Sequence, residues 1–324
     1  MSAPVFVIGA GAWGTALAHV AACGGSPVML CGRDAAVAEA VNETHRNPAY
    51  LGDAVLYVRV SAQVGAGGIE TAALVIMAVP AQHSRAMLGE IGGGALAGKP
   101  VLLSAKGLER QTCLRQSEIL AELAPEALPL VLSGPSFARD VARSKPTAVT
   151  LAGADAALTE RIAALIAGPS FRPYVTNDVI GVELAGALKN VFAIACGAVQ
   201  GADLGLSARS AMLARAFAEM TRIVDAEGGA QATLTGLAGL GDLVLTCTSR
   251  QSRNFEYGWR LGAGEAVGTA LAEGVHTAPV GLMLAARSGL EAPIISAVNA
   301  LISGKAAVGE LVETLMARPL KREG

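Results

Sequence analysis

Lys189 is the only charged residue between Glu183 and Asp203, in a run dominated by Ala, Gly, Val, Leu, Ile and Phe. A lysine so placed either extends its ammonium to water along an apolar stem or sits in a dry cleft. There desolvation lowers its pKa toward the range useful for proton transfer near neutral pH. Two further groups could work beside it. Lys106-Gly107 follows an apolar run of strand type, and Asp242 closes the glycine-rich segment 236–242. A carboxylate there could hold a catalytic lysine in place, or simply cap a helix. The cluster Ser249–Asn254 places Arg250 and Arg253 among hydroxyl and amide donors. A guanidinium fork matches phosphate oxygens, so this is a candidate phosphate cradle, with a solvated surface cluster as the plainer alternative.

A different chemistry is written at the N-terminus. Gly9-Ala10-Gly11-Ala12-Trp13-Gly14 follows a strand-like run and opens a helix-like one. In this pattern the first glycine permits a tight turn, the second lets backbone approach a pyrophosphate, and the third lets helix and strand pack closely. A dinucleotide is the expected ligand. After the second strand come Arg33 and Asp34. An arginine there accommodates a 2′-phosphate and an acidic residue grips a ribose 2′-hydroxyl, so NADP is favoured over NAD without excluding it. Val79-Pro80 ends the apolar run 73–79, where a cofactor's edge would lie; His83 nearby could touch it, but reads more readily as a solvated loop residue.

The elements that must position these groups fall into two kinds. Pro4–Ile8, Val28–Cys31, Ala73–Val79, Val101–Ser104, Leu128–Leu132 and Thr147–Leu151 read as buried strands, and Arg172–Val175 as a weaker one. Helix-like stretches such as Gly14–Cys23 and Thr112–Leu123 lie between them, the βαβ alternation of a doubly wound parallel sheet. Beyond about residue 180 the strand signal fades and Gly181–Gln200, Ser207–Glu227, Pro279–Ser288, Ile294–Ser303 and Ala306–Arg318 read as helices. The expected architecture is α/β: a Rossmann-type sheet domain over residues 1–178, then an all-α catalytic and substrate domain over 179–324. Lys106, Gly134 and Ser136 then lie at the carboxyl ends of strands, where open α/β sheets bind ligands.

Composition narrows the function. With 25 basic and 27 acidic residues, a net charge of −2 and a pI near 6.1, there is no electrostatic footprint for nucleic acid. Mean hydropathy is +0.47, yet no stretch of about 18 purely apolar residues appears, so no membrane insertion is expected. Residues 1–32 carry no charge and Val20–Cys23 resembles a lipoprotein cleavage box. No basic leader precedes the apolar run, however, and glycines interrupt it, so a cytoplasmic location is expected rather than export. Five cysteines form no CxxC pair, and four dispersed histidines indicate no metal site; reduced thiols fit. The Ala-rich helical half is of a kind that can form a homodimer.

Taken together, Gly9–Leu17, Lys106–Glu109, Ser133–Ala138, Glu183–Val191 (ELAGALKNV), Gly236–Thr248, Gln251–Asn254 and Glu273-Gly274 resemble the bacterial NAD(P)-dependent glycerol-3-phosphate dehydrogenase family, over nearly the whole chain. The resemblance implies reversible reduction of dihydroxyacetone phosphate to sn-glycerol 3-phosphate for phospholipid synthesis, with NADPH or NADH as hydride donor. It implies Lys189 as proton donor and acceptor, with Lys106 and Asp242 beside it. It further implies Gly134, Ser136, Ser252, Arg253 and Asn254 at the substrate, and Gly9, Gly11, Ala12, Trp13, Gly14, Arg33, Lys106, Ala138, Arg253, Leu271 and Glu273 at the cofactor. The chain departs from the family pattern at Ala12, Ala81, Ser136 and Leu271-Ala272, which bears on individual cofactor contacts. Two rival readings use the same residues. One is a related two-domain dehydrogenase of a 3-hydroxy acid or ketopantoate, with Arg253 and Asn254 on a carboxylate; the other is a non-catalytic NADP-binding sensor.

Overall fold

The computed structural model describes residues 3–267 and 272–316. Eight strands form one sheet in the order β3-β2-β1-β4-β5-β6-β7-β8. They are β1 (Val5–Ile8), β2 (Val28–Gly32), β3 (Val60–Val64), β4 (Leu74–Met77), β5 (Pro100–Leu103), β6 (Leu128–Ser133), β7 (Thr147–Ala152) and β8 (Phe171–Thr176). Strands β1, β4 and β5 are buried at every residue, as continuous Val, Ile and Leu runs require when both faces are covered. The first six strands are mutually parallel, while β7 runs antiparallel to β6 and parallel to β8. The doubly wound sheet is thus parallel through β6 and turns antiparallel at β6/β7, whose connection carries only the short helix Ala138–Val141.

β3 has no counterpart among the expected strands. It is an edge strand, with Ser61 and Val64 facing out and Gln63 half-buried, so it lacks the unbroken apolar run that marks its neighbours.

Strand order reverses between β1 and β4, which opens a crevice at their carboxyl ends. Into it points the start of α1 (Ala12–Cys23), whose residues 14–22 are buried. The Val20–Cys23 stretch is thus part of a core helix. α2 (Ala35–Thr44) follows β2, and α3 (Gln116–Leu123) begins four residues later than expected, after a turn in which Cys113 has φ 63°.

From residue 179 the chain is helical. α4 (Val179–Gly201) is surrounded by α5 (Gly205–Ala226), α6 (Asp242–Thr248), α7 (Arg253–Gly262), α8 (Glu273–Arg287) and α9 (Pro293–Ile302), with α10 (Val308–Met316) beyond. α8 starts six residues before the expected Pro279, which looked like a helix opening; the helix runs through it and forgoes one backbone hydrogen bond. The last two residues of the expected 306–318 helix lie outside the described residues. α4 is long and apolar enough to cross a bilayer, yet 89% of its most apolar window is buried inside the molecule, as befits a core helix. Apolar clusters lie on both faces of the sheet, and a third surrounds α4.

Candidate active site

The glycine loop has the geometry its spacing implies. Gly9 has φ 113°, and a Cβ there would lie 2.9 Å from the Ala78 carbonyl. A Cβ on Gly14 would lie 1.9 Å from the Gly9 carbonyl oxygen, so α1 can pack this closely only on glycine. Gly11 faces open space at the N-terminus of α1, where free N–H groups and the helix dipole favour an anion. Ala12 and Trp13 are the first residues of that helix.

Asn47, which sequence reasoning passed over, holds this loop from behind. Fully buried, it donates to the Ala10 carbonyl at 3.0 Å and to Thr15 Oγ1 at 2.8 Å. At the end of β2, Arg33 is exposed and makes no side-chain hydrogen bond or ion pair with another described residue. Asp34 is occupied: it caps α2, accepting from the Ala36 N–H at 2.9 Å. The residue that kept NAD open thus has another duty.

Lys189 lies midway along α4, 6% exposed, which removes the reading of an ammonium reaching for water. It donates to Asp242 Oδ1 at 2.5 Å and to Thr246 Oγ1 at 2.9 Å, leaving its third N–H without a protein acceptor. Lys106, from the loop after β5, donates to the other carboxylate oxygen at 2.7 Å and to the Gly134 carbonyl at 2.8 Å. One carboxylate therefore joins two ammonium groups from different halves of the molecule. A single π-helical turn, Leu237–Gly241, delivers Asp242 to the first position of α6, where the helix dipole favours its charge.

Burial brings the Lys189 amine down to about 8; Lys106 pushes the same way, and Asp242 opposes. Burial raises the Asp242 carboxyl, but the two ammonium groups outweigh it and hold it below the usual range. An amine poised near 8, with a spare N–H, can give and take a proton at neutral pH.

Around this cluster the remaining expected residues fall as follows. The Lys106 ammonium stands 6.0 Å from the centre of the Trp13 ring, which joins the glycine loop to the acid–base cluster. Ser136 donates to the Gly134 carbonyl at 2.9 Å, and Ala138 opens the helix after β6. Ser252 caps α7 by accepting from the Phe255 N–H, which leaves its hydroxyl hydrogen free. Asn254 donates to Asn190 Oδ1 at 2.9 Å and accepts from the Gly274 N–H at 2.9 Å, with one N–H to spare. Arg253 is exposed at the first position of α7 and makes no side-chain hydrogen bond or ion pair with another described residue, whereas Arg250 is bound to Glu256 and stacked on Trp259 at 4.0 Å. Of the two cradle arginines, Arg253 is the one without a side-chain hydrogen bond or ion pair among the described residues, and so the one open to an anion.

Glu273, at the start of α8, accepts from the Ala81 N–H at 3.3 Å. Its other oxygen is buried without a partner beside Gly107, and burial raises its pKa. Leu271 lies outside the described residues. His83 is exposed and lies near Glu273. Thr246 and Asn190 were missed; both are neutral, though Thr246 stands one helical turn after Asp242. No group of three or more metal-ligating side chains occurs among the described residues.

A dinucleotide-binding sheet whose crevice is closed by a helical bundle carrying a buried lysine defines a two-domain nicotinamide-dependent dehydrogenase. Ketopantoate reductase of Ralstonia eutropha, 15% identical with a TM-score of 0.62, shares this fold. Closer comparisons select one branch. Family models described as NAD-dependent glycerol-3-phosphate dehydrogenase N-terminus and C-terminus match residues 4–159 and 178–313. The chain belongs to the NAD-dependent glycerol-3-phosphate dehydrogenase family. It is 49% identical to glycerol-3-phosphate dehydrogenase [NAD(P)+] of Brucella ovis over 100% of both chains, and 50% identical to that of Methylobacterium radiotolerans over 99% of this chain and 98% of the other. The solved glycerol-3-phosphate dehydrogenase of Coxiella burnetii superposes with a TM-score of 0.91 at 33% identity, over 98% of this chain and 99% of that one.

Proposed function

We propose that this chain catalyses the reversible NAD(P)H-dependent reduction of dihydroxyacetone phosphate to sn-glycerol 3-phosphate, supplying glycerophospholipid synthesis, with Lys189 as the proton donor and acceptor. The observation that carries these roles is the buried Lys189–Asp242–Lys106 cluster beside the glycine loop. The division of labour follows the chain: residues 1–178 as the dinucleotide-binding domain and 179–324 as the helical catalytic domain. That division is supported by the last strand ending at Thr176 and α4 beginning at Val179. A cytoplasmic location is in keeping with five cysteines that are all free thiols.

The crevice suits a nicotinamide dinucleotide. Trp13 Nε1 and Glu273 Oε2 are both buried with no partner, and such atoms ordinarily have one. A bound ligand with acceptor and donor groups satisfies them. N–H groups at the start of α1, around Gly11, Ala12 and Trp13, would take the pyrophosphate, with Gly9 and Gly14 shaping the turn. Arg33 would take a 2′-phosphate, and Lys106, Ala138, Arg253 and Glu273 would line the nicotinamide side. When bound, the dihydronicotinamide supplies the hydride.

The protein's part is to place and protonate the substrate. Lys189 directs its third N–H at the carbonyl oxygen and donates the proton as that oxygen becomes an alkoxide. Asp242 and Thr246 fix the direction of that ammonium. Lys106 adds positive charge at the developing oxyanion, and its hold on Asp242 weakens that carboxylate's claim on the Lys189 proton. In the oxidative direction neutral Lys189 accepts the hydroxyl proton. Arg253, the start of α7 and the spare hydrogens of Ser252 and Asn254 would hold the phosphate.

Arg253→Ala should raise KM for dihydroxyacetone phosphate by roughly 10–100-fold, the worth of one charge-assisted hydrogen bond, with kcat nearly unchanged. Steady-state kinetics check this, and an unchanged KM contradicts the phosphate contact. Arg33→Ala should raise KM for NADPH about tenfold while leaving NADH near wild type. Equal losses for the two cofactors would remove the 2′-phosphate contact.

A further inference from the structure

Glu183 stands at the head of the ELAGALKNV segment on α4 and touches none of the groups assigned to substrate or cofactor. It is 7% exposed, and both of its carboxylate oxygens accept from one short segment of the other half of the molecule. The Ser117 N–H donates to Oε1 at 2.8 Å, the Ser117 hydroxyl to Oε2 at 2.5 Å, and Arg115 to Oε2 at 3.1 Å. Two helical turns further along the same face of α4, Asn190 donates to the Lys106 carbonyl at 2.8 Å. Between these anchors, Gln116 ties back to the Gly107 carbonyl at 3.0 Å. The segment 106–117 is therefore stitched to the lysine-bearing helix at both of its ends. The backbone that carries Lys106 has its register set by the helix that carries Lys189.

We propose that Glu183 is a positioning residue, which clamps the 106–117 segment against α4 and so holds the Lys106 ammonium against Asp242 and beside Lys189. A buried carboxylate is a costly way to join two elements, and apolar contact would join them without fixing register. Three directional bonds to one carboxylate do fix it. The proposal rests on the acid–base reading of Lys189 only for its catalytic consequence; the clamp itself can be observed without turnover.

The sign of the effect separates the clamp from a plain structural anchor. The groups that bear on the Lys189 amine are Asp242, Lys106 and Cys247; those that bear on Glu183 are Arg115, Ser117 and Glu118. Removing the negative charge of Glu183 acts through space to lower the Lys189 pKa. Releasing Lys106 acts the other way, because a like charge moves off and Asp242 is left to Lys189 alone. An upward shift therefore reports displacement of Lys106.

The test follows the Lys189 amine directly, by NMR titration of protein labelled at the lysine ε-carbons, with Lys189→Met supplying the assignment. The proteins compared are wild type, Glu183→Gln, Glu183→Ala and Ser117→Ala. Glu219→Gln serves as the control, since Glu219 is also a buried carboxylate but caps α9 through the N–H groups of Ile294 and Ile295. The Lys189 midpoint should rise by about half a unit to one unit in the Glu183 and Ser117 variants and stay fixed in Glu219→Gln. kcat should fall roughly tenfold in the same variants, with KM for NADPH within about twofold of wild type. Should Glu183→Ala not fold, Ser117→Ala loosens the same clamp from the α3 side and leaves α4 intact. A midpoint that does not move in folded Glu183→Gln and Ser117→Ala, or one that moves as far in Glu219→Gln, overturns the proposal. A midpoint that rises while the pH dependence of kcat stays put supports the clamp and contradicts Lys189 as proton donor.

Discussion

Replacing Lys189 by methionine is expected to lower kcat for reduction of dihydroxyacetone phosphate by about 10²–10⁴, the usual worth of a positioned general acid, while NADPH still binds with near wild-type affinity. Methionine keeps the length and apolar character of the stem within α4, and Asp242 keeps Lys106 as its partner at 2.7 Å. The fold should therefore survive with only the proton donor missing. Lys106 stays bound to Asp242 and to the Gly134 carbonyl, so lowering the pH should not restore the rate. Dinucleotide binding measured calorimetrically and single-turnover kinetics separate the two effects. Wild-type turnover in the variant would remove Lys189 from the chemistry.

Asp242→Asn should have an effect of similar size for a different reason. The carboxylate is 1% exposed and bridges two ammonium groups, one on each oxygen, offsetting part of their mutual repulsion. Removing one partner from such a network costs about 3–5 kcal/mol where the remaining charge stays buried. Here Lys189 has an escape, because it can release its proton. Its midpoint should fall from about 8 by about three units, since the opposing influence of Asp242 is lost and that of Lys106 remains. At pH 7 the donor is then largely empty, and kcat for reduction should drop by roughly 10²-fold. Unlike Lys189→Met, this variant should regain part of its rate as the pH is lowered. Flat pH dependence in Asp242→Asn would contradict the role given to the carboxylate.

How much of this was legible in the sequence depends on what kind of constraint wrote each feature. The glycine loop is legible because backbone geometry admits only glycine at Gly9 and Gly14, whatever surrounds them. The central strands are legible because burial on both faces demands unbroken apolar runs. β3 is not, since an edge strand alternates and its exposed residues look like loop. Lys189 announces itself as a lone charge in an apolar helix, yet its partner Asp242 comes from 53 residues downstream, and the Lys106 that shares this carboxylate from the other half of the molecule. Nothing local to Lys106 or Asp242 encodes that convergence; the family resemblance supplied it. Arg250 shows the opposite failure. It had the right chemistry for a ligand, and the structure commits it to a Glu256–Trp259 contact. Asn47, Thr246 and Glu183 act through neighbours distant in the chain or one helical turn away, and such duties leave little trace in residue type.

The pH dependence of kcat/KM for both directions, at saturating dinucleotide, tests the proton donor most directly. Reduction needs Lys189 charged, so its rate should hold at lower pH and fall as pH rises through about 8. Oxidation of sn-glycerol 3-phosphate needs the neutral amine, so its rate should climb through the same midpoint. Mirror-image limbs centred near 8, both abolished in Lys189→Met, are the expected result. Limbs that survive that substitution, or that run in the same direction for both reactions, would show that another group carries the proton.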